Sequence, residues 1–225
     1  MIPLQLIVFD LDGTLIDSRR DIADAANALL VSCGAQPFSE ARIGAMVGDG
    51  AARLVARAFK ASGVERPPDA LARYLAFYDA MLLNHTRPYD GIPAVLEALG
   101  HRVSLALLTN KPIASTRRIL DGLDLARYFP EDAVIGGDGP FPRKPDPAAL
   151  LHLVARANVD AGAALMVDDS VIDLRTAKAA KVRVCLARYG FGFEGIVVDA
   201  LDRDDRVIDA PVELLSETEA RTKST

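Results

Sequence analysis

The chain of 225 residues has no tryptophan, only two cysteines and only three histidines. Cys33 and Cys185 stand far apart, so they form neither a metal-type spacing nor a disulfide framework. They are expected as small apolar side chains in a reducing interior. His85, His101 and His152 fit no triad and no metal pattern. No apolar stretch approaches the roughly 20 residues that span a bilayer, so no membrane partner is expected. The first residues carry no basic segment and their apolar run stops at Asp10, so no signal peptide is expected and the predicted location is cytoplasmic. Positive charge is not in excess either. The net charge of -5 argues against a general nucleic-acid or anionic-membrane partner. No internal repeat or low-complexity segment is present, and nothing sets an oligomeric state.

What is present is the composition of a globular protein, half apolar and a quarter charged. Its length suffices for one α/β domain carrying a smaller insert. Short β-prone apolar runs recur at 4–9, 103–108, 133–135, 164–167 and 182–186, with helical patterns at 92–99, 112–123, 147–157 and 172–180. That alternation predicts βαβ units and a doubly wound parallel sheet, with 206–208 as an edge strand. The gap between the first two runs is too long for one crossover. From about 16 to 86 it reads as helix after helix, at 21–31, 51–61 and 69–83, punctuated by Gly34, Gly63 and Pro67-Pro68. The expected organisation is an α/β core built from 1–15 and 87–225, a helical cap inserted at 16–86, and a polar tail at 216–225 that frays.

The apolar runs end in residues that carry chemistry. Leu6-Ile7-Val8-Phe9 leads into Asp10-Leu11-Asp12-Gly13-Thr14-Leu15. Ligands of open α/β sheets bind beyond the carboxyl ends of the strands, so Asp10 and Asp12 belong at that rim. Gly13 permits a sharp turn or a close approach. The second run ends in Thr109-Asn110-Lys111-Pro112, where a hydroxyl and N–H groups at a helix start suit an anionic oxygen. A plain helix cap has the same composition. Arg143-Lys144-Pro145-Asp146 offers an ammonium on a segment kept extended by Pro145, although most isolated lysines are simply solvated. Leu165-Met166-Val167 meets Asp168-Asp169-Ser170, and Asp173 lies about one helical turn beyond Asp169. Acidic residues near a helix N-terminus are also common for dipole reasons alone.

If these strand ends share one sheet, Asp10, Asp12, Asp169 and Asp173 converge. Two like charges about 4 Å apart repel by roughly 4 kcal/mol at an effective dielectric of 20, against a total stability of about 5–15 kcal/mol. Such a cluster needs protons or a counter-charge. A hard dication with oxygen ligands supplies one, and Mg²⁺ is the expected ion. A metal, a carboxylate nucleophile and anion-binding donors together suit phosphoryl transfer.

In identity, order and spacing, the four segments resemble the motifs of the haloacid dehalogenase superfamily of phosphohydrolases. The resemblance covers nearly the whole chain, including a helical cap inserted after the first motif. It implies that Asp10 is a nucleophile forming an aspartyl-phosphate, and that Asp12 protonates the leaving oxygen and then activates water. It implies that Asp10, the backbone carbonyl of Asp12 and Asp169 hold Mg²⁺, with Asp173 supporting the metal directly or through water. Thr109, Asn110 (through its backbone) and Lys144 then bind the transferring phosphoryl group. The family usually has Gly where this chain has Asp168, which is expected to be a tolerated variant.

The implied substrate is a small phosphomonoester. The segments Val47-Gly48-Asp49-Gly50-Ala51, Pro88-Tyr89-Asp90-Gly91 and Tyr189-Gly190-Phe191-Gly192 resemble the phosphoglycolate phosphatase branch of the family. A loop amide between Gly48 and Gly50, or Arg53, is expected to meet the carboxylate of 2-phosphoglycolate. A surface position is the plain alternative for Arg53. Asp17 and Ser18 are expected to form a hinge and cap the first helix. Other readings are a sugar-phosphate phosphatase, a phosphosugar mutase, whose cap signature of Arg and Ser is absent, or a decayed interaction module on the same scaffold. A phosphonate hydrolase would want a cap lysine near the reacting carbon, and Lys60 falls outside the expected loop.

Overall fold

The computed structural model describes residues 3–194, 196 and 201–219. Its centre is β1 (Leu6–Phe9), every residue of which is buried. An unbroken apolar strand is stable only where both sheet faces are covered. Leu6 and Val8 enter one apolar cluster, Ile7 and Phe9 the other, as the two-residue period of a strand requires.

After β1 comes the short β2 (Ile16–Asp17). Four helices follow: α1 (Arg19–Ser32), α2 (Glu40–Gly44), α3 (Ala51–Ser62) and α4 (Ala70–Met81). The chain returns through β3 (Arg87–Pro88). It then alternates α5 (Ile92–Gly100), β4 (Ser104–Leu108), α6 (Ile113–Gly122), β5 (Val134–Ile135), α7 (Ala148–Arg156), β6 (Ala164–Asp168), α8 (Val171–Ala179) and β7 (Arg183–Ala187). β8 (Arg206–Ile208) and α9 (Leu214–Glu219) close the described chain. The main sheet runs β5-β4-β1-β6-β7-β8 with every pairing parallel. The doubly wound α/β architecture is therefore as expected, with 206–208 on the edge.

Two expectations need correction. Residues 16–17 do not begin the helical region. They pair antiparallel with Arg87 and Pro88, because the two crossings between sheet and helices run side by side and satisfy each other's backbone groups. The tail is not frayed from 216: Ser216–Glu219 complete α9, which packs on α5, while 220–225 lie outside the described residues.

Asp21, fully buried in α1, ties the start of the helical region to its end. It accepts from the backbone N–H groups of His85 (3.0 Å) and Thr86 (2.8 Å) and from the Thr86 hydroxyl (2.7 Å). Asp24 and His85 approach it to within 4.8 Å, but its charge is already answered by those donors. No described helix is long and apolar enough to cross a membrane.

Register positions the chemistry. Phe9 lies opposite Leu107 on one side and Val167 on the other. The residues that follow these three, Asp10, Leu108-Thr109 and Asp168-Asp169, therefore emerge together at one sheet edge.

Candidate active site

At that edge, between sheet and helices, lies a cavity. Asp10, Asp12, Thr109, Asn110, Lys111, Lys144, Asp169 and Asp173 all line it. Four segments far apart in sequence thus meet in one space. From the helical side, Ile22, Val47, Gly48, Gly50, Ala51, Leu54, Tyr74, Leu75 and Tyr78 close over it.

Lys144 is buried and its ammonium is fully engaged. It donates to Asp10 Oδ1 (2.5 Å) and to the Leu108 carbonyl (3.1 Å), and pairs with Asp173. Burial opposes its charge, but the Asp10 and Asp173 carboxylates outweigh that and hold its pKa above the usual lysine value. Asp173 also accepts from the Ser170 hydroxyl (2.5 Å), so it is held from two sides.

Asp169 follows the end of β6. Its Oδ2 accepts from Gly192 N–H (2.7 Å) and its Oδ1 from the Thr14 hydroxyl (3.4 Å). Gly13 has φ +92° and a Cβ there would collide with the Asp169 carboxylate, so only glycine fits. Asp12 is gripped on one oxygen: Oδ1 accepts from the Ser18 hydroxyl (2.5 Å) and the Lys111 ammonium (2.7 Å).

Negative charge is in excess here. Burial pushes the Asp10 carboxyl up to about 7; Lys144 offsets this only partly, and Asp173 and Asp12 add to the rise. Asp169 is raised well above the carboxylate range by burial, then by Asp10 and Asp173. All the anionic donors are hard oxygens, and positive charge is what they lack. Both features fit Mg²⁺ rather than a softer ion.

A group whose folded pKa lies above its unfolded value favours the folded state at low pH. That contribution is lost as pH rises from about 3.8 to about 7 for Asp10. In chelator, Asp10→Asn is therefore expected to melt with wild type near pH 4 and to melt higher by roughly 5 °C at pH 7.5. Thermal melts across that range test this; a difference independent of pH refutes the charge excess.

Asp168 resolves differently from its neighbour. It is fully buried, its Oδ1 accepts from Ser170 N–H (3.3 Å), and its Oδ2 has no hydrogen-bond partner among the described residues. Burial, reinforced by Asp173, raises its pKa well above the carboxylate range. A neutral acid is tolerated where an ion would not be.

Asn110 contributes more than backbone. Its side chain donates to the Gly48 carbonyl (3.0 Å) and the Lys144 carbonyl (3.1 Å), and accepts from Lys144 N–H (3.0 Å). It thereby stitches the 47–50 loop to the lysine segment. A Cβ on Gly50 (φ +86°) would sit 3.2 Å from the Asn110 carbonyl oxygen, so this loop packs tightly on the sheet side.

Two specificity residues expected on the helical side are not in the cavity. Arg53 is exposed, because α3 turns Leu54, Val55, Ala58 and Phe59 inward and its arginine-bearing face outward. Asp49 is taken up by an ion pair with Arg57. Ser18 does not cap α1 with its side chain; the hydroxyl goes to Asp12 instead. Sequence pattern alone does not single out Lys111 or Tyr78, since a lysine after Thr109-Asn110 and an aromatic at helical spacing have ordinary surface and core explanations.

Residues 7–187 match the family of haloacid dehalogenase-like hydrolases. The chain is 44% identical over 199 residues to the phosphoglycolate phosphatase of Rhodospirillum rubrum, covering 84% of this chain and 82% of that protein. It is 40% identical over 195 residues to phosphoglycolate phosphatase 1 of Pseudomonas aeruginosa, with 83% and 70% covered. The crystal structure of a predicted phosphoglycolate phosphatase from Haemophilus somnus superposes with a TM-score of 0.86 at 28% identity, covering 97% of this chain and 99% of that one.

Proposed function

Because the chain belongs to the haloacid dehalogenase-like hydrolases, we propose that it hydrolyses a small phosphomonoester through an aspartyl-phosphate on Asp10, with 2-phosphoglycolate as substrate and Mg²⁺ as cofactor. The observation that carries this reading is the meeting of Asp10, Asp12, Lys144 and Asp169 around one cavity.

Asp10 attacks phosphorus, which replaces one difficult displacement with two easier ones. Lys144, already on Asp10 Oδ1, holds that carboxylate and presents positive charge where the phosphoryl oxygens arrive. The Thr109 hydroxyl, which already accepts from the Lys111 N–H, and the Asn110 N–H complete the anion cradle. Asp12 gives a proton to the leaving oxygen and takes one from the water that later attacks the phosphorus. Ser18 and Lys111 hold its Oδ1, which leaves Oδ2 for the proton. Asp10, Asp169 and the Asp12 carbonyl would hold Mg²⁺, with Asp173 anchoring Lys144 beside them. When bound, the ion supplies the positive charge that lets two anions approach each other. The helical layer of α1 to α4 acts as the cap that closes the cavity, and the α/β core on either side of it in sequence carries the chemistry.

A panel of phosphorylated metabolites tests this. Phosphate release is expected only with Mg²⁺ and to be most efficient with 2-phosphoglycolate; chelation is expected to abolish it. Preference for a hexose phosphate would replace the substrate assignment, and inertness toward every ester would leave the decayed interaction module.

A further inference from the structure

Among the described residues lining the cavity, only Lys111 and Lys144 carry positive charge. The Lys144 ammonium already has three acceptors: Asp10, Leu108 and Asp173. Among the described residues Lys111 has two, Asp12 Oδ1 at 2.7 Å and the Tyr78 hydroxyl at 2.5 Å. An ammonium has three N–H donors, so one is left for a group in the cavity. The Lys111 side chain is only 4% exposed, so that donor has little access to solvent.

Position completes the case. Lys111 sits beside Asp12, the residue that meets the leaving oxygen, and so lies on the leaving-group side. On the helical side Ile22, Val47, Leu54 and Leu75 are apolar, and hydroxyls come only from Tyr74 and Tyr78 among the described lining residues there, a sparse set for a polyhydroxylated sugar. The Tyr78 hydroxyl accepts from Lys111, which frees its own proton for donation. Burial, then Asp12 and Asp21, keeps that phenol neutral.

Resting on the phosphatase reading, we propose that Lys111, with Tyr78 across the cap–core boundary, is the specificity-determining pair of this enzyme. It binds a carboxylate carried on the leaving half of the substrate, one carbon from the scissile oxygen. An uncharged group at that place leaves the buried third N–H of Lys111 without an anion. Selection is thus made by a core residue next to the acid/base, and Arg53 of the cap takes no part.

The decisive comparison is between 2-phosphoglycolate and 2-hydroxyethyl phosphate, in which a CH₂OH replaces the carboxylate. Wild type is expected to favour the former in kcat/KM by about 100-fold or more, the scale of a buried charge pair. Lys111→Met is expected to collapse that ratio toward one, chiefly through KM for the charged ester, and Lys111→Arg to retain part of it. A ratio unchanged in Lys111→Met, or an equal loss on both esters, overturns the assignment and makes Lys111 a support for Asp12 only. If Lys111→Met does not fold, calorimetry of the two esters on Asp10→Asn decides: equal affinities overturn the proposal. Wild type inert toward both esters overturns the phosphatase reading itself, a separate result.

Discussion

Asp10→Asn is expected to lose on the order of 10⁴–10⁶ of phosphatase kcat, the scale seen when a covalent nucleophile is removed. Asparagine preserves size and can still accept from Lys144. It cannot form an acyl phosphate, because its amide oxygen is a poor nucleophile. The loss should fall on kcat, with 2-phosphoglycolate still binding, since the contacts to the phosphoryl group and leaving half come from other residues. The variant should also remain folded, for the substitution removes a buried carboxylate whose pKa is already driven up to about 7, first by burial. Phosphate release under single-turnover conditions, alongside a thermal melt, checks both. Activity within tenfold of wild type would mean that water attacks phosphorus directly, and the covalent scheme would have to be abandoned.

The second large effect is expected at Asp12. Asp12→Asn should lower steady-state turnover by about 10²–10⁴, the range for a general acid or base. Its dependence on the leaving group is more informative than its size. An alkyl leaving oxygen needs the proton that Asp12 delivers, so 2-phosphoglycolate should fail at the first step. A p-nitrophenolate leaves without help, so p-nitrophenyl phosphate should still phosphorylate Asp10. The variant then lacks the base for the attacking water, and the phosphoenzyme should accumulate. The expected signature is a burst of nitrophenolate equal to the enzyme concentration, followed by slow turnover. Absence of a burst, with uniform slowing on both esters, would assign Asp12 a positioning role only. Ser18 and Lys111 grip Asp12 Oδ1 in either case, so the Asn variant has a defined rotamer and the comparison is clean.

The cap–core boundary explains why both residues are so well placed. Asn110 joins the 47–50 loop to the Lys144 segment, and Lys111 joins Tyr78 of α4 to Asp12. Closure of the helical layer and construction of the site are therefore one set of contacts. The stacked rings of Tyr74 and Tyr78, 5.9 Å apart, back that junction with apolar surface.

Much of this was written locally. A parallel strand buried on both faces must be an unbroken apolar run, and its carboxyl end must open on the functional edge. Asp10, Thr109 and Asp169 could therefore be read from where the apolar runs stop, without knowing how the strands pair. The phase of α3 was legible only in part: the sequence left Arg53 open between cavity and surface, and the burial of Leu54, Val55, Ala58 and Phe59 decided it. A hairpin-like pairing of 16–17 with 87–88 was not legible, since two residues carry no period.

Lys111 and Ser18 mark where sequence stops. Lys111 meets Asp12 across 99 positions and Tyr78 across 33, and no spacing rule connects such partners. Periodicity and strand ends report how one segment meets water or core, so the chain by itself determined the sheet, the helical layer and the carboxylate rim. Which cation stands beside which carboxylate depends on how that layer sits on the sheet. Only the tertiary structure decided it, because side-chain contacts between remote segments are set by packing and not by local preference.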